Sequence, residues 1–181
     1  MCSSDLLGDA LNLLGVRTVH FLYDDATYRE LRAGQYRLSI LEHLDGIVDI
    51  PVAQSDAQLD AAYPGSRFIL TVRDKHAWLR SAELHWRLMM QWWENVLDFK
   101  RFQELIGAVC YGTVEYNRER FSFVYDAHTK MVLDDFRDRP SDLLVMDISN
   151  GDGWDAMCTF LGLLLADPLR SEERRVGKEC A

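Results

Sequence analysis

Apolar positions recur along this chain at helical and at extended spacings, and the two alternate. Leu7, Ala10, Leu11 and Leu14 fall at i, i+3, i+4 and i+7, one buried helical face, and Gly15 stands where a helix C-cap belongs. Arg17 to Phe21 is β-branched and aromatic and predicts a short strand. Helix formers run from Asp24 to Leu44 with a break at Gly34, and a second short strand over Gly46 to Ile50 is stopped by Pro51. Gln54 to Tyr63 predicts a helix ended by Pro64 and Gly65. The runs Arg67 to Val72 and Leu143 to Ile148 are almost continuously apolar, which predicts strands buried on both faces of a parallel sheet.

A long helical region separates those two strands. Trp78, Ala82, Trp86, Met89, Trp93 and Val96 recur at three or four residues, and Phe99 to Val109 and Thr113 to Phe136 continue in helical style. Asp152 to Leu165 predicts a closing helix. Strands separated by helices, with no internal repeat or linker, predict one α/β domain: a three-layer parallel sheet flanked by helices.

Composition narrows the partners. Twenty Lys and Arg against 29 Asp and Glu leave a net charge of -9, which argues against a surface that covers nucleic acid. The four cysteines, at 2, 110, 158 and 180, form no CxxC pair, so a reducing, cytoplasmic setting is expected, with Cys110 and Cys158 as core thiols. None of the five histidines stands at a metal-ligand spacing and no GxSxG elbow occurs, so no metal and no serine-hydrolase chemistry are expected. No membrane segment occurs in the observed chain. Both ends are unlike the rest: residues 1–6 and 170–181 resemble translated frames of paired short-read sequencing adapters, which confines the expected domain to residues 7–169.

In an open parallel sheet, ligands gather beyond the carboxyl ends of the strands, so the residues just after each strand carry the chemistry. These are Asp49 before Ile50 and Pro51, Arg73 before Asp74, and Asp147 before the turn Asn150 to Gly153. Asp49 also fits a strand end or turn cap, and Arg73 fits a surface ion pair with Asp74. A helix starting near Asp74 would bring Ser81 round after about two turns, where a guanidinium and a hydroxyl suit one phosphate.

The stretch Phe68 to Ser81 resembles the 3'-phosphate-binding segment of sulfotransferases that use 3'-phosphoadenosine 5'-phosphosulfate (PAPS). Four further blocks resemble the P-loop-related sulfotransferase superfamily in the same order: Asp49 to Val52, Gln58 to Phe68, Arg139 to Ile148 and Gly151 to Gly162. The resemblance implies a P-loop NTPase-like sulfotransferase fold, with PAPS as co-substrate held at its 3'-phosphate by Arg73 and Ser81. It implies Asp49 as general base, at a position where cytosolic members carry a His, and a small-molecule or glycan acceptor offering a hydroxyl or amine. The Gly-rich phosphosulfate loop and its strand would precede Leu7, so the fold is expected to lack its first strand and phosphate loop, and the chain to be a fragment with little or no activity. Two other readings remain. Leu143 to Asp147 also has the form of a Walker B strand, which would make the chain a P-loop nucleotide kinase or NTPase using Mg-ATP, with Asp147 holding the metal. A non-catalytic binding module is the third.

Overall fold

The computed structural model describes residues 3–22, 24–92 and 97–164. Helix α1 (Ser3–Leu13) leads to strand β1 (Thr18–His20), and Gly15 provides the left-handed turn between them at φ 84°. Asn12 fixes that turn: its side-chain carbonyl accepts the Thr18 N–H at 2.9 Å, and its amide donates back to Gly8 O at 2.9 Å. Of the helix formers over residues 24–44, those before the expected break at Gly34 form an α-helix and those after it do not. Asp24 caps α2 (Asp25–Arg32) by accepting from the Ala26 and Thr27 N–H groups, and Gly34 at φ 69° ends it; the rest is irregular apart from a 3₁₀ turn over Ser39–Glu42.

Strand β2 (Gly46–Val48) pairs in parallel with β1, Thr18 opposite Gly46 and His20 opposite Val48. Arg17 and Asp45 pin the start of this pair, the Asp45 carboxylate taking both the Arg17 backbone N–H and its guanidinium. Those bonds hold the Asp45 carboxyl down to about 2. Helix α3 (Val52–Ala62) runs to β3 (Phe68–Thr71), which pairs in parallel with β4 (Leu143–Met146). Between β3 and β4 lie α4 (Lys75–Trp92), α5 (Leu97–Ile106), a π-helical turn over Gly107–Tyr111, and α6 (Arg118–Asp135), capped by the Asn117 side chain. Helix α7 (Trp154–Leu161) closes the order, entered through Gly153 and ended by Gly162 at φ 70°. In the apolar stripe on α4, Trp93 and Val96 lie outside the described residues.

The architecture is α/β with parallel strands. Among the described residues the strands form two separate pairs, β1–β2 and β3–β4, where one continuous sheet was expected. One core nevertheless serves both pairs: Leu7 and Leu11 of α1, Val48 of β2, Met146 of β4 and Met157 of α7 are buried together, with Ile69 and Leu144 against them. The expectation of strands buried on both faces is corrected. Val145 is 41% exposed and every residue of β3 is only half-buried, because helices cover the faces of β3 and β4 incompletely. A second cluster, Leu79, Trp86 and Phe121, ties α4 to α6.

One buried carboxylate works against stability. Asp56 on α3 is 6% exposed, and burial raises its pKa, with the charge of His128 acting against the rise and that of Asp135 adding to it. A folded-state pKa above the ordinary carboxylate range means that the proton is held more tightly in the folded protein, so its stabilising contribution is complete in acid and is lost as pH rises through the folded value. Asp56→Asn is therefore expected to stabilise the protein at neutral pH, with the gain disappearing in acid, where the Asp56 carboxyl is protonated in both the folded and the unfolded chain. Thermal melts at both pH values measure this, and equal Tm values for the two proteins at neutral pH would contradict it.

Candidate active site

The carboxyl ends of β1 and β2 carry the first part of the site. Parallel register brings His20, the last residue of β1, opposite Val48, and the next residue of the second chain segment is Asp49. His20 Nε2 lies 3.2 Å from Asp49 Oδ2, and its Nδ1 lies 3.2 Å from Asp5 Oδ1 on α1. The imidazole thus lies between two carboxylates, of which Asp49 is inside the expected domain and Asp5 belongs to the adapter-like residues 1–6. Asp49 itself has φ 71°, a left-handed conformation that Asp tolerates better than most residues, and Phe21, directly after His20, has φ 53°. Their backbones stay linked past the strand ends, the Phe21 N–H donating to Val48 O and the Leu22 N–H to Ile50 O, each at 3.1 Å.

The π-helical turn borders Asp49. Burial pushes the Cys110 thiol up to about 12, with the Asp49 charge adding to the effect, and the Tyr111 hydroxyl is raised for the same first reason. Cys110 therefore stays protonated, and its thiol donates to Gln54 Oε1 at 3.6 Å, a core role rather than a nucleophilic one.

Arg73 and Asp74 follow β3. The last ladder bond runs from the Val72 N–H to Met146 O at 2.8 Å. Asp74 is a helix cap, its side chain accepting the Ala77 N–H at 2.8 Å at the start of α4. Arg73 enters none of the ion pairs among the described residues, so the expected alternative of an Arg73–Asp74 pair is set aside. Its Nε is buried and is the one buried side-chain polar atom without a hydrogen-bond partner among the described residues. A buried guanidinium N–H without an acceptor is costly, and such groups ordinarily have a partner. Ser81 is exposed on α4, six residues beyond the start of the helix, and no hydrogen bond joins it to Arg73 among the described residues.

After β4, Asp147 serves its own turn. Its side chain accepts from the Asn150 N–H at 3.1 Å and from the Ser149 hydroxyl at 2.6 Å, while Asp152 accepts the Asp147 N–H at 2.7 Å. No group of three or more His, Cys, Asp or Glu side chains that would hold a metal ion occurs among the described residues. No helix among them is long and apolar enough to cross a membrane.

The structure thus joins Asp49 to His20 and leaves Arg73 with an unpartnered donor. His20 escaped the sequence, where it stands as one histidine in a β-rich run. Its role emerges only when parallel pairing sets it beside a residue 29 positions on. The only sequence signal was its place at a strand's carboxyl end.

A parallel α/β chain with a free basic donor just beyond one strand and an acid–histidine pair beyond another fits group transfer from an anionic donor. The family model described as a sulfotransferase domain matches residues 7–169, and the chain belongs to that family. No curated protein matches the chain.

Proposed function

We propose that this protein transfers a sulfuryl group from PAPS to a hydroxyl or amine of a small-molecule or glycan acceptor. The observation that carries this reading is the orphaned, buried Nε of Arg73 at the carboxyl end of β3. A phosphate supplies the acceptor that this donor lacks, and the planar guanidinium fork suits a phosphate monoester such as the 3'-phosphate of PAPS. Ser81, exposed on the helix that starts beside Arg73, adds a neutral hydrogen bond to the same anion. PAPS contributes an activated sulfur and a good leaving group.

Asp49 acts as general base. As the acceptor oxygen attacks sulfur in line, the bond from sulfur to the phosphate oxygen breaks, the acceptor proton passes to the Asp49 carboxylate, and adenosine 3',5'-bisphosphate leaves. His20, 3.2 Å from that carboxylate, orients it from the strand side. The π-helical turn carrying Cys110 and Tyr111 borders the acceptor. The shared core supports one further part of the reading, that the two strand pairs belong to one three-layer parallel arrangement: Val48 of β2 and Met146 of β4 are buried in one cluster with Leu7, Leu11 and Met157.

The kinase reading is less well supported, since the Asp147 carboxylate is engaged in its own turn. Calorimetric titration in EDTA separates the two. Binding of adenosine 3',5'-bisphosphate without metal is expected, and Mg-ATP binding that EDTA abolishes, with no bisphosphate binding, would overturn the sulfotransferase reading.

A further inference from the structure

The main chain of Arg73 is held from an unexpected direction. Once the β3–β4 ladder ends at Val72, the next peptide groups have no strand partner, and an unpaired backbone N–H or C=O away from water is costly. Both polar groups of Arg73 find the same atom. The Tyr125 hydroxyl, on α6 and 52 residues away, accepts the Arg73 N–H at 3.2 Å and donates to the Arg73 carbonyl at 2.7 Å. One hydroxyl can do both, since it carries one donor and two lone pairs.

The Tyr125 ring is itself held. It lies against Trp78 of α4 with centroids 4.8 Å apart, and Trp78 in turn packs on Phe121. The next residue, Asp126, pairs with Lys75 at 2.7 Å at the first turn of α4. The chain reversal between β3 and α4 is thereby fixed from α6 at two adjacent positions, but only Tyr125 touches the residue whose side chain carries the free donor.

We infer that Tyr125 is a positioning residue: its hydroxyl fixes the Arg73 main chain so that the guanidinium is set in advance for a phosphate. This rests on the phosphate reading of Arg73 above. Holding the backbone removes freedom that would otherwise be lost on binding, so the contribution appears as affinity for the phosphate that Arg73 contacts and for no other part of the ligand.

The test uses Tyr125→Phe, which keeps the ring against Trp78 and removes only the hydroxyl. Adenosine 3',5'-bisphosphate and adenosine 5'-monophosphate are titrated against the wild-type chain, Y125F, R73A and the double variant, and the ratio of the two affinities isolates the 3'-phosphate. Y125F is expected to reduce that ratio roughly tenfold, while 5'-monophosphate binding changes little. In the R73A background the same substitution is expected to change nothing further, as two residues acting through one contact require. K75M, which breaks the neighbouring tie between α4 and α6, is expected to leave the ratio intact and so controls for general loosening. Equal loss for both nucleotides in Y125F, an unchanged ratio, or a full Y125F effect in the R73A background would each overturn the positioning role. If R73A itself leaves the ratio at its wild-type value, the phosphate reading has failed first and the positioning role falls with it.

Discussion

In a form of the protein that turns over PAPS, Asp49→Asn is expected to lower kcat for sulfuryl transfer by roughly 10² to 10⁴, the range that a positioned general base contributes. Asn is the informative replacement because it tolerates the left-handed backbone, φ 71°, that residue 49 adopts, whereas Ala would add strain to the loss of the carboxylate. It also retains an oxygen within reach of His20, so the pairing of β1 and β2 should survive. An amide cannot take the acceptor proton. The deficit should therefore fall on kcat, with donor binding and far-UV circular dichroism close to wild type. Transfer of labelled sulfuryl from PAPS, followed under saturating donor, measures this, and a variant that keeps its kcat removes Asp49 from the chemistry.

The largest effect on stability is expected at Phe121. Its side chain is 1% exposed on α6 and sits at the centre of a ring cluster: stacked on Tyr111 at 3.8 Å, edge-on to Trp86 at 5.2 Å, and against Tyr116 at 4.7 Å. Those rings come from α4, the π-helical turn and the loop before α6, so one residue joins three segments. Phe121→Ala removes both the transfer free energy of the ring and the ring–ring contacts, and leaves a cavity that rigid aromatic neighbours fill poorly. A loss of about 3–5 kcal/mol is expected. Chemical denaturation should show a lower midpoint, and a change under 1 kcal/mol would mean that the cluster repacks. Because Trp78 also touches Phe121, the damage should extend to the Tyr125 contact and weaken nucleotide binding as well.

The sequence revealed most about elements with a local cause. The strands at residues 18–20, 46–48, 68–71 and 143–146 lie inside the runs that β-branched and apolar residues marked, and Gly15 and Gly34 turn the chain at positive φ where helix ends were expected, whereas the closing helix expected over residues 152–165 stops at Leu161, before Gly162. Where competing local signals met, the pattern misled. The break expected at Gly34 does end α2 after Arg32, but the helix formers from Gln35 to Leu44 build no second α-helix, because these residues are bound elsewhere; the Tyr63 hydroxyl, for example, reaches Leu38 O. Thr113 to Asn117 joined the apparent α6 pattern, but the Thr113 hydroxyl bonds to the Glu115 main chain and forms a turn that delays the helix until Asn117 caps it. Strand burial was overestimated because an apolar run reports what a segment can bury and not whether helices arrive to cover it, as the exposed Val145 shows.

The site was legible in part. Asp49 and Asp147 stand immediately beyond strands and Arg73 two residues beyond one, as their order in the sequence placed them. Only the structure distinguishes their circumstances: Asp147 is committed to its own turn, Asp49 to His20, and Arg73 keeps a donor in reserve. His20 and Tyr125 were invisible because each acts across a tertiary contact, through parallel register in one case and helix packing in the other. Neither carries a motif.

Arg73, half-buried and with an unpartnered Nε, is proposed to hold the 3'-phosphate of a nucleotide. Calorimetric comparison of adenosine 3',5'-bisphosphate with adenosine 5'-monophosphate, on the wild-type chain and on Arg73→Ala, tests it most directly. The wild type is expected to bind the bisphosphate more tightly, with R73A losing roughly 10- to 100-fold on that ligand alone, as befits a charge-assisted contact. Equal affinity of the wild type for both nucleotides, or an R73A variant that binds the bisphosphate as well as the wild type does, would contradict it.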